Sequence, residues 1–284
     1  MFSQSAAFYD DIYAAGGKDY AAEAAAVAEV ILARNPGAET LLDVACGTGG
    51  HLEFLATRFT CAGVDADPGM LAVARARLPG VPLAVADMVD LALGEQFDAL
   101  TCLFSSIGYV ETPPRLAAAV SAMAGHLRPG GVLVVEPWLQ PDIWEPGHFS
   151  TVSIERPGLK VCRLMQSSSD GPVSVLDATY LVTEDGHLRF LREQHRLGLF
   201  AWDRYAAAFA AADLRTEVDR TGPTGRGLII GTRPGRSGPD PALRERPAAA
   251  GSAPSSSEVT VRRDLWHFPG GFRGRTMAEE LGLP

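Results

Sequence analysis

The chain has 284 residues, 46% of them hydrophobic, with 34 acidic against 25 basic residues and a formal net charge of -9. That length can bury a full core, as one large domain or a domain carrying an insertion. The acidic balance disfavours a nucleic-acid partner, whose phosphates need a basic face, and no apolar run reaches the roughly 18 residues of a membrane-spanning helix. The opening Met1-Phe2-Ser3-Gln4 lacks the basic and apolar regions of a secretory leader. Cys46, Cys61, Cys102 and Cys162 show no C-x-x-C spacing, so free buried thiols in a reducing cytoplasm are expected and a zinc site is not.

Residues 1–38 carry two helical patterns and read as a helical lid. Phe8, Ile12 and Tyr13 mark the apolar face of the first, and Asp19 opens an alanine-rich second that runs to Arg34 before Asn35-Pro36-Gly37. Tyr9, Tyr13 and Tyr20 suit either a core edge or a cover that keeps water from a cofactor cleft. From 39 to 149 strands at 40–45, 60–65, 83–86, 97–102 and 132–136 alternate with helices at 50–58, 68–77 and 113–127, the rhythm of a doubly wound parallel sheet. Between 150 and 200 the rhythm changes to β segments at 150–156, 160–168, 173–183 and 187–199 joined by turns, an antiparallel sheet inserted after strand five. A helix at 203–212 and strands at 214–220 and 227–232 return to the core, which ends near 233. Residues 234–284 have the Pro, Gly, Ser and Ala content of a disordered tail, with a short helical pattern at 276–281. The fold class is α/β, Rossmann-like, with that inserted sheet.

Thr40-Leu41-Leu42-Asp43-Val44-Ala45-Cys46-Gly47-Thr48-Gly49-Gly50 reads as a buried strand, a tight turn and a helix N-terminus. Gly47 and Gly49 permit positive φ and a close approach to a ligand. Asp65 ends the second strand in a carboxylate able to accept hydrogen bonds from ribose hydroxyls. Position 52 is Leu where a dinucleotide fingerprint wants a third glycine, which argues against a nicotinamide oxidoreductase. Taken singly, Asp65 and Asp87 also suit turn or N-cap positions.

Asp43 through Gly49, Asp65, and Ala86-Asp87-Met88 resemble successive motifs of the class I S-adenosylmethionine (SAM) methyltransferases. The resemblance implies that Tyr9, Tyr20, Ala45, Asp65, Asp87 and Met88 contact SAM, Asp65 at the ribose and Asp87 at the adenine amino group. Leu103 to Gly108, Glu136-Pro137-Trp138, Arg192-Glu193-Gln194-His195-Arg196 and Gly222 to Gly227 narrow the likeness, over about residues 5 to 235, to the TDP-aminosugar N,N-dimethyltransferases of macrolide biosynthesis. Family members are commonly homodimers through the inserted sheet, whose Val152, Ile154, Val161, Leu164, Val173 and Val175 need cover from the main domain or a partner. The resemblance implies that Trp138 borders the nucleotide-sugar site and Arg226 pairs with the diphosphate.

Independently, a guanidinium in a glycine-rich turn offers a flexible bidentate fork for phosphate, or simply caps the turn. Glu193 and His195 alternate on one strand face and could line a pocket, or His195 and Arg196 could be solvated edge residues. Tyr109 stands where the family carries His, and Phe2 where a substrate-side Tyr is expected. A phenol is a poor base at pH 7 but a competent hydrogen-bond partner, so Tyr109 is expected to steer the amine. The residues leave open a 3-amino or 4-amino sugar, an O-methyltransferase and a non-catalytic SAM-binding dimer.

Overall fold

The computed structural model describes residues 4–235. Phe2 and nearly all of the expected tail, with its candidate helix, lie outside the described residues. In chain order come α1 (Tyr9–Ala15), α2 (Tyr20–Leu32), β1 (Thr40–Val44), α3 (Gly50–Leu55), β2 (Thr60–Asp65), α4 (Pro68–Arg77), β3 (Leu83–Val85), β4 (Phe97–Cys102), α5 (Pro113–Gly125) and β5 (Leu127–Val135). Then come β6 (Phe149–Arg156), β7 (Leu159–Asp170), β8 (Val173–Glu184), β9 (His187–Gly198), α6 (Trp202–Ala211), β10 (Arg215–Asp219) and β11 (Leu228–Thr232). Short 3-10 turns span Ala6–Phe8 and Ser106–Val110.

The main sheet has the order β10-β11-β5-β4-β1-β2-β3. β1 to β5 run parallel, and β11 and β10 close the edge antiparallel. Leu41 and Leu42 are both fully buried because helices cover both faces, which is why this strand reads as a continuous apolar run. α2, α3 and α4 pack on one face, and α5 and α6 on the other. α4 starts where expected: Asp67 caps it, accepting from Gly69 N at 2.8 Å and Met70 N at 3.3 Å, with Pro68 in the first turn. β5 begins earlier than expected. Leu127 already pairs with Phe97, and the Pro-Gly-Gly segment is a register shift inside the strand, its Gly130 N–H donating to Arg233 O at 3.0 Å. Among the described residues no helix is long and apolar enough to cross a membrane.

β6 to β9 form a separate antiparallel sheet in sequence order. Its inner face is built from alternate positions of β7, including Val161, Arg163 and Met165, and it packs on Phe8 and Ile12. The Phe8 ring meets Tyr180 edge-on at 5.7 Å. Each such buried side chain contributes about 1.5–3 kcal/mol.

Two expectations change here, and a third resolves. α2 is not part of a lid: Ala24, Val27, Ala28 and Ile31 belong to the main core, so the cover is residues 4–19. Val161, Val173 and Val175, expected to need cover from the main domain or a partner, are buried within the chain, and the exposed large apolar residues of this sheet are Phe149, Leu181, Leu188 and Phe190. Glu193 does not line a pocket with His195. Its Oε1 accepts from Gln4 N at 2.9 Å and Ser5 N at 3.1 Å, and its Oε2 from Ser5 Oγ at 2.7 Å, so the carboxylate clamps the N-terminal segment to β9.

Candidate active site

A cavity of about 1630 Å³ opens between the carboxyl ends of the main-sheet strands, α1 and the inner face of the second sheet. Ala45, Gly47, Asp65, Asp87, Met88, Tyr9, Tyr20, Tyr109, Trp138, His195 and Arg226 all line it. Gly49 and Glu193 do not.

The strand tips form one end. Ala45 takes φ +58°, a strained value for a residue with a Cβ, where the chain leaves β1. Gly47 N–H donates to Asp65 Oδ2 at 2.8 Å and Asp67 N–H to Oδ1 at 2.8 Å. The Asp65 carboxylate keeps acceptor capacity beyond those bonds for a ribose hydroxyl. Burial pushes the Asp65 carboxyl above its ordinary pKa, and that of Asp43 up to about 6. A Cβ at Gly47 would meet Met70 Cε at 3.3 Å, so the loop forms a cradle that a side chain would fill. Gly49 has a different task. A Cβ there would meet Leu78 Cδ1 at 2.9 Å, so its bareness serves packing on α4 rather than a ligand. Asp87 Oδ1 accepts from Val89 N at 2.9 Å, a turn-type bond, while its residue still lines the cavity beside Met88. These groups fit an adenosyl cofactor, with hydroxyl acceptors at Asp65, an acidic group at Asp87 and an uncluttered loop at Gly47.

The N-terminal wall hangs on Asp10. Its Oδ1 accepts from Tyr20 Oη at 3.1 Å and Thr48 Oγ1 at 2.8 Å, and its Oδ2 from Arg77 Nη2 at 2.6 Å. One carboxylate thus joins α1, α2, the glycine loop and α4. Glu23 similarly binds Lys18 and, at 2.8 Å, His51 Nε2. The Lys18 ammonium lies 3.7 Å from the Phe104 ring centre, and burial lowers its pKa. The thiols of Cys46 and Cys102 are pushed up by burial, so they remain protonated and inert.

The far end is set by the loop after β4. Phe104 and Ser105 take φ +51° and +62° in succession. Glu136 holds this conformation by accepting from Phe104 N at 2.7 Å, and Ser105 Oγ donates to Pro137 O at 2.8 Å. The 3-10 turn after it directs Tyr109 inward, its Oη 3.1 Å from His195 Nδ1. His195 is 1% exposed, not a solvated edge residue. Burial lowers its pKa to about 3 and raises that of Tyr109, so the pair is a neutral imidazole and a neutral phenol. Arg226 is fixed rather than flexible. Its guanidinium carbon is 5.4 Å from both the Phe104 and Trp138 ring centres, and its Nη1 is 3.8 Å from Glu136 Oε1. Trp138 is oriented by donating Nε1–H to Ser174 Oγ at 2.8 Å.

Asp10, Lys18 and Arg163 belong to the site without a role having been expected for them, as do Phe104 and Glu136, which lie inside segments that carry the resemblance. Arg163 carried a signal, a charge on the inward register of a strand between Val161 and Met165. The others depend on contacts between segments far apart in the chain.

A model of the methyltransferase domain matches residues 41–131. The chain is 44% identical over 225 residues to the dTDP-3-amino-3,4,6-trideoxy-alpha-D-glucopyranose N,N-dimethyltransferase of Streptomyces venezuelae, covering 78% of this chain and 95% of that one. It is 42% identical over 227 residues to the dTDP-4-amino-2,3,4,6-tetradeoxy-D-glucose N,N-dimethyltransferase of Saccharopolyspora spinosa, covering 79% and 91%. The SAM-bound structure of CalS10, an amino pentose methyltransferase from Micromonospora echinaspora, superposes with a TM-score of 0.72 at 42% identity, covering 79% of this chain and 96% of that one.

Proposed function

Because this chain belongs to the SAM-dependent N,N-dimethyltransferases of nucleotide-linked aminosugars, we propose that it methylates twice the amino nitrogen of a TDP-linked amino-dideoxysugar made for an antibiotic. SAM is its cofactor and, when bound, supplies a methyl group on an electrophilic sulfonium. Gly47, Asp65, Asp87 and Met88 would hold it, with Ala45, Tyr9 and Tyr20 around it.

An amine reacts through its lone pair, so it must be neutral and aimed. The Glu193 carboxylate, 4.0 Å from His195 Nε2, favours the proton on that nitrogen. His195 Nδ1 then accepts from Tyr109 Oη, and the phenol oxygen is left to accept an N–H from the substrate amine. That bond turns the nitrogen lone pair away from Tyr109. Neither neutral group is a strong base, so the protein acts by orientation, which can contribute about 7–11 kcal/mol. Trp138 and the Arg226 held beside it would border the nucleotide-sugar. The observation that carries this reading is the Tyr109–His195 bond inside a cavity shared with the Asp65 and Asp87 strand tips.

The relatives include both 3-amino and 4-amino sugar enzymes, so the amino position is the quantity to measure. Incubation with SAM and TDP-dideoxysugars of each kind, read by mass with fragment location of the methyls, should give a dimethylated nitrogen on one of them. Methyl groups on oxygen, or none on any TDP-aminosugar, would sink the proposal. The same reading includes a cytoplasmic homodimer. The four free cysteines support the compartment, and the exposed Leu181, Leu188 and Phe190 support an interface with a second copy.

A further inference from the structure

β5 lies between β4 and β11 in the main sheet, so the residue that follows β5 stands between the loop leaving β4 and the turn entering β11. That residue is Glu136. Its N–H donates to Cys102 O at 2.9 Å, which continues the pairing with β4 and fixes its backbone in the sheet. Glu136 is 2% exposed and does not line the cavity.

Each of its carboxylate oxygens serves a different segment. Oε2 accepts from Phe104 N at 2.7 Å, the bond that holds the positive-φ loop ahead of Tyr109. Oε1 accepts from Thr224 Oγ1 at 2.5 Å and lies 3.8 Å from Arg226 Nη1. Thr224 and Arg226 belong to the turn at 220–227, where Gly222, Gly225 and Gly227 all take positive φ. Such glycines give a turn little stiffness of its own, so its place at the cavity depends on what grips it. Arg226 Nη1 also crosses to the opposite loop, donating to Ser105 Oγ at 3.4 Å. Pro223, Thr224 and Arg226 of the turn and Phe104, Ser105 and Tyr109 of the loop all line the cavity.

We propose that Glu136 is a positioning residue for the methyl transfer. It locks the turn that carries Arg226 to the loop that carries Tyr109, and so keeps the wall that borders the nucleotide-sugar in register with the hydroxyl that aims its amine. The assignment rests on the TDP-aminosugar reading above and deepens it. A buried carboxylate is costly unless its oxygens are satisfied, so both segments are drawn to one fixed point at the end of β5. The register matters because a misplacement of about 1 Å at a reacting centre can slow a reaction about a hundredfold. A glutamine cannot replace the acid in full. Its amide has one accepting oxygen, enough for Phe104 N, and it turns an NH2 group toward Thr224 and the Arg226 guanidinium, which loses the charge beside it.

The test is steady-state kinetics on the TDP-aminosugar that the wild-type protein methylates, with Glu136→Gln, Thr224→Val, Tyr109→Phe and their pairwise combinations, together with SAM calorimetry. Glu136→Gln and Thr224→Val should each lower kcat/KM about tenfold, the loss of one charge-assisted bond. SAM affinity should stay unchanged in both. Combining the two should lose little more than either alone, because they break the same lock. With Tyr109→Phe in place, either change should lower kcat/KM by no more than about threefold, since no hydroxyl is left to keep in register. A Glu136 that merely supports the fold predicts weaker SAM binding and the same fold-loss with or without the Tyr109 hydroxyl. That pattern, or wild-type kinetics in both variants, overturns the role and leaves the proposed function intact. Should Glu136→Gln fail to fold, the coupling of Thr224→Val to Tyr109→Phe decides by itself. A wild type that methylates no TDP-aminosugar removes the proposed function and this role with it.

Discussion

Tyr109 and His195 form a pair whose worth lies in a single hydrogen bond. Tyr109→Phe deletes the hydroxyl that contacts the imidazole and is proposed to meet the acceptor amine. Turnover should drop about tenfold, as for a buried hydrogen bond lost with its orienting role. SAM affinity should be unchanged, since Asp65 and Gly47 are untouched. Unchanged turnover and Michaelis constant for the sugar would remove Tyr109 from the reaction. His195 also leaves a signature in stability. Its pKa falls from the ordinary 6.5 to about 3 on folding. The unfolded chain therefore binds a proton that the folded chain refuses, and stability is lost as pH falls from 6.5 toward 3. Asp43 works in the opposite sense. Its pKa is raised from 3.8 to about 6, so stability is gained as pH falls through 6. His195→Asn should flatten the acid decline in melting temperature between those limits, whereas an unchanged slope would exonerate the imidazole.

α1 reads from its sequence as a short amphipathic helix with acids in its first turn. The sequence pattern does not tell that Asp10 reaches Thr48 and Arg77, 38 and 67 residues along the chain. Asp10→Ala should weaken SAM about tenfold, because Tyr20, Thr48 and Arg77 lose their common acceptor at once. In that background Arg77→Met should weaken SAM no further, and a full additional loss would show that Arg77 acts independently. The strand tips at Asp65 and Asp87 were legible because a βα rhythm fixes where each strand ends and turns toward its helix. The loop after β4 was not. Two successive positive φ values at Phe104 and Ser105 are imposed by Glu136 and Pro137, residues of another strand end, and no local propensity announces them. Gly49 was legible in part: its positive φ of +78° was expected, while the close approach of Leu78, just after α4, was not. In Arg163 the inward register was readable, but its contact with the Tyr13 ring was a property of the assembled fold.

At the scale of the whole molecule, hairpin turns correctly marked the inserted sheet, yet alternation alone could not say which of its faces meets the main domain. Leu181 lies opposite Phe190, and Leu188 opposite Thr183, on strands whose partners on the inner face are buried. The double change Leu188→Asp and Phe190→Asp should convert the proposed dimer into a monomer by light scattering, and a monomeric wild type would discard that interface. The N-terminal segment ties these two sheets together unevenly. On one side Phe8 and Ile12 join a broad apolar cluster of β7 and β8, and Glu193 clamps Ser5. On the other are the Asp10 carboxylate and a smaller cluster of Tyr9, Tyr13 and Met70. Two deliveries to one nitrogen would require the spent nucleoside to be exchanged between them. Were the segment to part on the Asp10 side while the inserted sheet kept the half-finished sugar, the double modification would be processive. A chase with unlabelled sugar after the first delivery should leave the label in doubly methylated product, with the singly methylated form scarce in solution.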